Sequence, residues 1–329
     1  MNQQIIIWIS NAIGFGTVLG LASLGETTNE KSGHLNLGIP GIMYFAAIVS
    51  YICVMSYEKG NASPNAFLAI VIAILSAFAV GSFLGFIYTL ICATFKCNQN
   101  VMGLAMTTFG VGFGKFLSSA FKLTNYKLAF TGSLFNAAIP GLKDIPFVGP
   151  AFFNNGFMTY ILIALCVCGY TFFNKTKTGL NLRAVGEFPA TADAAGINVM
   201  KYKYIATIVG CGLAGLAGMT YVMAYSQGLW ATNNDIEAIG WLAVALVIFV
   251  VWKPIHLLWG APLFGFFYWA YLYLPMFFPD MGSFVGLADL LQMLPYVVTI
   301  IILLFNSMRK KRENQPPASL GIPYFREER

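Results

Sequence analysis

Apolar residues gather into long runs separated by short polar stretches, and the runs fall at about 5–24, 38–57, 66–95, 101–121, 157–174, 204–228, 236–252, 256–278 and 288–306. Runs of roughly 20 residues match the length an α-helix needs to cross a bilayer. The pattern predicts an all-α polytopic integral membrane protein with about nine transmembrane helices. The third run is long enough to be tilted or broken, and a re-entrant segment near Asn36 would change the count. No basic side chain stands in Met1–Gln4, so the first run reads as a membrane helix rather than a cleaved signal.

Composition agrees with this reading: 58% of the residues are hydrophobic and 10% charged, with a mean hydropathy of +0.71. So little polar surface excludes a soluble cytoplasmic enzyme, and the runs leave no segment large enough for a soluble catalytic domain. The six cysteines are scattered and mostly lie in apolar runs, where a thiol packs as a small hydrophobe. Neither His34 nor His256 has a metal-ligating neighbour at suitable spacing, so no metal site is read. The net charge of +6 reflects basic loops at one leaflet rather than a nucleic-acid partner.

Lysine and arginine fix the expected orientation. With the N-terminus outside, the cytoplasmic segments hold Lys31, Lys96, Lys175, Lys177, Arg183, Lys201, Lys203, Lys253, Arg309, Lys310, Lys311, Arg312, Arg326 and Arg329; the outer loops hold Lys59, Lys122, Lys127 and Lys143. The C-terminus is then cytoplasmic. Residues 1–306 form the transmembrane domain, and 307–329 a basic cytoplasmic tail, read as a topology anchor followed by disorder. The outer segment from about 122 to 156 is rich in Pro, Gly and Phe and is expected to pack as turns against the outer mouth.

The cytoplasmic loop, about 175–203, mixes charges with helix formers. Pro189 suits a first helical turn, alanines follow, and Gly196 can take the left-handed conformation that ends a helix. A helix of about two turns does not persist alone in water, so it must pack against this chain or a partner. Gly110-Val111-Gly112-Phe113-Gly114-Lys115-Phe116 is glycine-rich, but its spacing is wrong for a phosphate loop and Phe116 stands where a Ser or Thr would bind magnesium. Those glycines read as helix-packing positions.

The run Gly179 to Gly218 opens with GLNLRAVGEFPATADAAGIN and ends in the small-residue series Cys211 to Gly218. It resembles the signature of ABC importer permease subunits in the branched-chain amino acid, ribose and nucleoside group. Ser32 to Met43 resembles that family's opening of the second helix; Ile139 to Pro150 and Trp241 to Gly265 resemble segments of its nucleoside and simple-sugar branch. The resemblance reaches from about residue 30 to 270. It implies an all-helical permease that pairs with a second homologous permease, cytosolic ATPase subunits and an extracytoplasmic solute-binding protein, in the cytoplasmic membrane. ATP and magnesium would then be handled by the ATPase, and this chain would carry no cofactor and perform no covalent chemistry. Arg183, Glu187, Pro189, Asp193 and Gly196 would fall on the loop that couples to the ATPase. Three departures stand out: Pro40 where the nucleoside branch usually has glutamate, Phe188 in place of the asparagine that commonly caps the coupling helix, and Phe249-Val250-Val251 in place of a more glycine-containing turn.

A solute crossing an apolar bundle needs polar groups inside it, and broken helices supply them through backbone amides and carbonyls. Asn36, with Gly38, Pro40 and Gly41, fits such a break. Asn100, Thr107 and Thr108 form a polar stripe entering the fourth run, and Lys115 is a cation within it, which faces a cavity or partner or snorkels outward. Glu237 and Trp241 lie at the start of the seventh run and could edge an entry mouth. The expected solute is a nucleoside or simple sugar, with riboflavin or a branched-chain amino acid as alternatives. An ion-coupled secondary transporter would need intramembrane carboxylates, and the runs drawn above contain none in their middles. A membrane enzyme would need clustered His, Asp or Glu at one face.

Overall fold

The computed structural model describes residues 2–138, 141, 145–146, 149–230, 235–277, 287–309 and 315–325. Most of these are helical, and the described residues show no strand beyond an isolated bridge between Lys127 and Leu229. The chain is an all-α polytopic membrane protein. Among the described residues, seven helices are long and apolar enough to span a bilayer, and two shorter apolar helices, Ile236–Phe249 and Leu294–Phe305, accompany them. Lys143, Lys310, Lys311, Arg312, Arg326 and Arg329 lie outside the described residues, as does part of the loop segment Ile139 to Pro150.

The helices are α1 (Asn2–Lys31), α2 (Ile39–Gly60), α3 (Ala66–Thr89), α4 (Gln99–Ala120), α5 (Ala129–Phe135), α6 (Met158–Lys175), α7 (Lys177–Glu187), α8 (Pro189–Ala194), α9 (Val199–Thr220), α10 (Ile236–Phe249), α11 (Leu257–Phe277), α12 (Leu287–Gln292) and α13 (Leu294–Arg309). Both α3 and α9 run on into wide π-type turns, Leu90–Thr94 and Tyr221–Tyr225. The expected long third run is thus one span with a loosened end. Asparagines start several helices: Asn65, Asn98 and Asn198 each accept backbone N–H groups of the first turn, of α3, α4 and α9 respectively.

At the centre stands α9, packed against α1, α2 and α3. Its glycines allow this because each removes a side chain where a neighbouring helix passes, against backbone at Gly210, Gly215 and Gly218 and against the Phe78 and Ser82 side chains at Gly212. A Cβ on Gly218 would collide with the carbonyl of Met43 on α2, and one on Gly215 with the carbonyl of Ala77 on α3. Because van der Waals contact replaces the hydrophobic effect between helices in lipid, such close approach is a main source of cohesion.

Three expectations need correction. First, α1 does not stop near residue 24 but continues to Lys31, and Glu26 and Glu30 on this extension are fully or almost fully buried. The polar run Glu26-Thr27-Thr28-Asn29-Glu30 masks the helix from a hydropathy reading, yet its groups find partners inside the protein. Carboxylates within a span are therefore present, so the argument against an ion-coupled transporter from their absence falls. Second, α10 ends at Phe249 rather than 252, because Val251 and Trp252 turn into the left-handed region with φ of 57° and 53°. This is the turn where the family pattern carries more glycine, the residue that adopts such angles freely. Here buried Val251 and Trp252 hold it instead, and the Trp252 indole N–H donates to the Glu30 carboxylate. Third, the tail beyond the basic cluster is not simply loose: residues 315–325 lie back along the bundle with Pro317 and Ser319 buried.

Candidate functional site: path and coupling surface

The turn between α1 and α2 is held from within. Glu26 accepts the backbone N–H of Asn36 at 3.0 Å and Nδ2 of Asn29 at 2.7 Å. Asn36 Oδ1 accepts the Gly38 N–H at 2.9 Å, and its Nδ2 donates to Cys211 Sγ on α9 at 3.2 Å. His34 Nδ1 pairs with Thr207 Oγ1 at 2.8 Å. Burial first, and then the charge of Lys203, hold His34 well below the usual histidine range, so the ring is neutral. Leu35 donates its N–H to Gln99 Oε1 at 2.8 Å and accepts the Tyr88 hydroxyl at 2.6 Å, while Thr107 Oγ1 donates to the Leu37 carbonyl at 2.8 Å. A non-helical stretch of backbone inside the bundle thus has its amides and carbonyls met by side chains of α1, α3 and α4. Thr27 Oγ1, Asn29 Oδ1, His34 Nε2 and Gln99 Nε2 remain buried without a partner, so the turn keeps unspent hydrogen-bonding capacity.

The residues expected to line a path do not share one surface. Asn36 and Thr107 lie inside this knot. Asn100, Thr108 and Lys115 point outward from α4, where Thr108, Gly112 and Lys115 follow one another at helical spacing beside the exposed rings of Phe109, Phe113 and Phe116. Gly112 meets nothing within 4 Å, so of the α4 glycines read as packing positions this one contacts no other part of its own chain. Glu237 and Trp241 are partly buried on the first turns of α10. Sequence reasoning missed Glu26, Asn29 and Glu30; their i, i+3, i+4 spacing, which puts them on one helix face, was the available signal.

The loop 175–203 forms two helices rather than one. Thr176 caps α7 by accepting the Gly179 N–H at 3.0 Å. Phe188 then breaks the helix without a side-chain cap, and α8 runs from Pro189 to Ala194 before Gly196 takes a φ of +82°. The inner face is fixed by buried Ala192, Val185 and Val199. The C-terminal strap adds polar ties: Tyr324 OH donates to Asp193 Oδ2 at 2.8 Å, the Ala318 N–H to Glu187 Oε2 at 3.2 Å, and Ser319 Oγ to the Gly186 carbonyl at 2.5 Å. The same strap reaches the α1–α2 turn through Gly321 N–H and the Gly33 carbonyl at 3.2 Å. On the outer face, Leu180 and Phe188 are each 62% exposed although neither lies in a span. Arg183 is exposed nearby, with Nη1 3.4 Å from Asn174 Oδ1. The result is a rigidly backed apolar knob at one end of the bundle.

A helical bundle with internal broken backbone at a helix start, and a short helix pair braced beneath it, has the architecture of a membrane permease. Residues 8–303 match the family described as branched-chain amino acid transport system / permease component, and the chain belongs to that family. Among its relatives, a putative glucose ABC transporter permease protein, TsgC13, of Haloferax volcanii is 34% identical over 76% of this chain and 72% of its own length. The guanosine ABC transporter permease protein NupQ of Bacillus subtilis is 32% identical over 99% of both chains. The nucleoside ABC transporter permease protein NupC of Lactococcus lactis is 27% identical over 90% of this chain and 91% of its own. The chain is a transport subunit of the ABC permease type.

Proposed function

We propose that this chain is the membrane-spanning permease of an ATP-driven importer that carries a nucleoside or a simple sugar. An extracytoplasmic solute-binding protein delivers the solute, a second homologous permease completes the path, and a cytosolic ATPase supplies the energy with its own ATP and magnesium. The N-terminus lies outside the cytoplasmic membrane and the C-terminus inside, as the lysine and arginine distribution requires. The supporting observation is the α7–α8 knob: an exposed Phe188 at the start of a helix too short to stand alone, braced by the bundle and the C-terminal strap, is a surface made to be pushed. Arg183, Glu187, Pro189, Asp193 and Gly196 belong to this coupling surface.

In the mechanism this supports, ATP binding draws the ATPase pair together, α8 moves with it, and the strap and Gly186 carry the displacement to the α1–α2 turn. Asn36 and Thr107 sit at that turn, and its unpartnered polar atoms offer new bonds to a second arrangement. The α4 face bearing Thr108 and Lys115 meets the second permease or the path, since a cation against lipid is costly. Glu237 and Trp241 border the outer entrance. Substrate assignment rests on the relatives that carry guanosine, nucleosides and glucose in their names.

Purified permease reconstituted with its ATPase and binding protein should accumulate radiolabelled guanosine or glucose only when ATP is present. Accumulation by the chain alone, driven by an ion gradient, would instead assign it to the ion-coupled class and give Glu26 and Glu30 a direct role.

A further inference from the structure

Helices α1, α6, α7 and α9 enclose an apolar crevice of about 570 Å³ next to the α6–α7 turn. Buried Phe173, Leu182 and Ala206 pack together as its back wall. Its lips are open: Phe172, Ile205 and Val209 are 37%, 51% and 39% exposed. The crevice therefore faces sideways, from the spans α6 and α9 toward the surrounding lipid. From Lys201 to Leu213, both of which line it, α9 rises about 18 Å. The hydrocarbon of one leaflet is roughly 15 Å deep. A slot of that length accommodates an acyl chain lying along the bundle.

The end of the slot nearest α7 is basic. Lys175 closes α6, Lys177 opens α7, and Lys201 lies in the first turn of α9. All three are exposed, and none of their ammonium groups has a hydrogen-bond or ion-pair partner among the described residues. Acidic side chains of the same loop are engaged elsewhere, Glu187 by the Ala318 N–H and Asp193 by the Tyr324 hydroxyl. Lys201 is the one charged residue in the described lining. By contrast, a second apolar crevice of about 400 Å³, between α1, α6 and α11, has no charged residue in its described lining. Apolar walls that run into unpaired ammonium groups at a membrane surface match an amphiphile with a negative head.

We propose that the crevice beside α7 binds one anionic phospholipid, with an acyl chain between α6 and α9 and the phosphate among Lys175, Lys177 and Lys201. Lipid tails and apolar side chains have no hydrophobic preference for one another, so the walls contribute van der Waals fit alone. Selectivity then comes from the head. A net negative headgroup gains charge-assisted hydrogen bonds from the lysines, whereas a zwitterionic one brings its own cation to them. A helix of another protein would have to carry acidic side chains to the same place. Because Leu182 belongs to α7, the bound lipid packs that helix against α6 and α9. The site goes beyond the importer reading and does not depend on its cargo.

The test uses the full-length chain, with the subunits that co-purify, in phosphatidylcholine nanodiscs. A limiting amount of phosphatidylglycerol with a diazirine in its acyl chain is added, and labelled peptides are mapped by mass spectrometry after illumination. Phe172, Ile205 and Val209 should be labelled; unlabelled phosphatidylglycerol should compete, and free glycerol phosphate should not. The matching phosphatidylcholine probe should label them several-fold less. Lys201→Gln should lower phosphatidylglycerol labelling about fivefold, the share of one lysine near an anionic lipid. Replacing Lys175, Lys177 and Lys201 together by Gln should make the two probes equivalent. Val209→Trp, which fills the slot, should abolish labelling at Phe172; if that variant does not assemble, Lys201→Gln decides. Equal labelling of the unaltered protein by both probes, competition by glycerol phosphate, or unchanged labelling in Lys201→Gln overturns the site. So does the absence of label in the crevice, the result expected if another protein chain fills it. Neither cargo nor ATP turnover enters the readout, so the importer reading survives a failure confined to the crevice.

Discussion

Two helices of this protein look alike on paper and do different work. Both α4 and α9 contain 22 residues, and each holds four glycines, at 103, 110, 112 and 114 in α4 and at 210, 212, 215 and 218 in α9. Yet 72% of the apolar window of the α9 span is buried inside the protein, against 33% for α4. The glycines of α9 admit α1 at Gly210, α3 at Gly212 and Gly215, and α2 at Gly218. Those of α4 receive the α1–α2 turn at Gly103 and α2 at Gly110 and Gly114, and leave Gly112 open. Glycine content alone therefore marks where a helix can be approached closely; which neighbour arrives, or whether one does, depends on the fold. In α9 the answer is a structural hub. In α4 it is a helix anchored on one side, with a free face that mixes Thr108 and Lys115 among phenylalanines.

The contrast breaks most sharply at paired glycines. Gly218→Val should abolish recovery of folded protein, because the Met43 carbonyl is backbone and cannot yield; a monodisperse gel-filtration peak in detergent would contradict the hub. Gly112→Val should leave that peak intact, since nothing stands within 4 Å of the position. Its effect belongs instead to assembly with the proposed second permease or to transport.

At the α1–α2 turn the expected effect is intermediate. Asn36→Leu removes the acceptor of the Gly38 N–H and the donor to Cys211, leaving buried polar groups unpaired at a cost of about 1–3 kcal/mol. A thermal-shift assay should record a lower melting temperature, and an unchanged one would mean the turn is not held by this side chain.

Smaller still is the change at α10. Val251 occupies a left-handed conformation with φ 57°, which costs a non-glycine residue about 1–2 kcal/mol. Val251→Gly should relieve that strain while losing some buried surface, for a net change within about 1 kcal/mol. A melting temperature lowered by many degrees would show that the side chain, rather than the backbone, governs this turn.

The spans were legible because hydropathy reports burial in lipid or protein without needing to know which. For the same reason the buried face of each helix was not: α3 is apolar nearly all round, yet only 28% of its span window is buried in the protein. The last turns of α1 escaped because Glu26 and Glu30 are polar in sequence and acquire partners only when the chain folds back to bring the Asn36 N–H to Glu26 and the distant Trp252 to Glu30. At the proposed coupling surface, the proline start and the left-handed Gly196 could be read locally, and both are present. The strap could not, because Ser319 and Tyr324 show no local pattern and find Gly186 and Asp193 more than 130 residues away. A cavity at the end of the bundle away from α7 and α8 is lined by Asn11, by Asn155 and Thr159, and by Trp269, three separate stretches that no spacing rule joins.

Everything turns on α8 receiving force from a separate motor, and Phe188→Asp addresses that most directly, because it alters the exposed knob while sparing the buried contacts behind it. With the reconstituted complex, the variant should retain its gel-filtration profile and lose at least about tenfold in ATP-driven uptake, together with co-purification of the ATPase, as burial of an unpaired charge at an interface centre entails. Uptake and ATPase association equal to those of the unaltered protein would contradict the account.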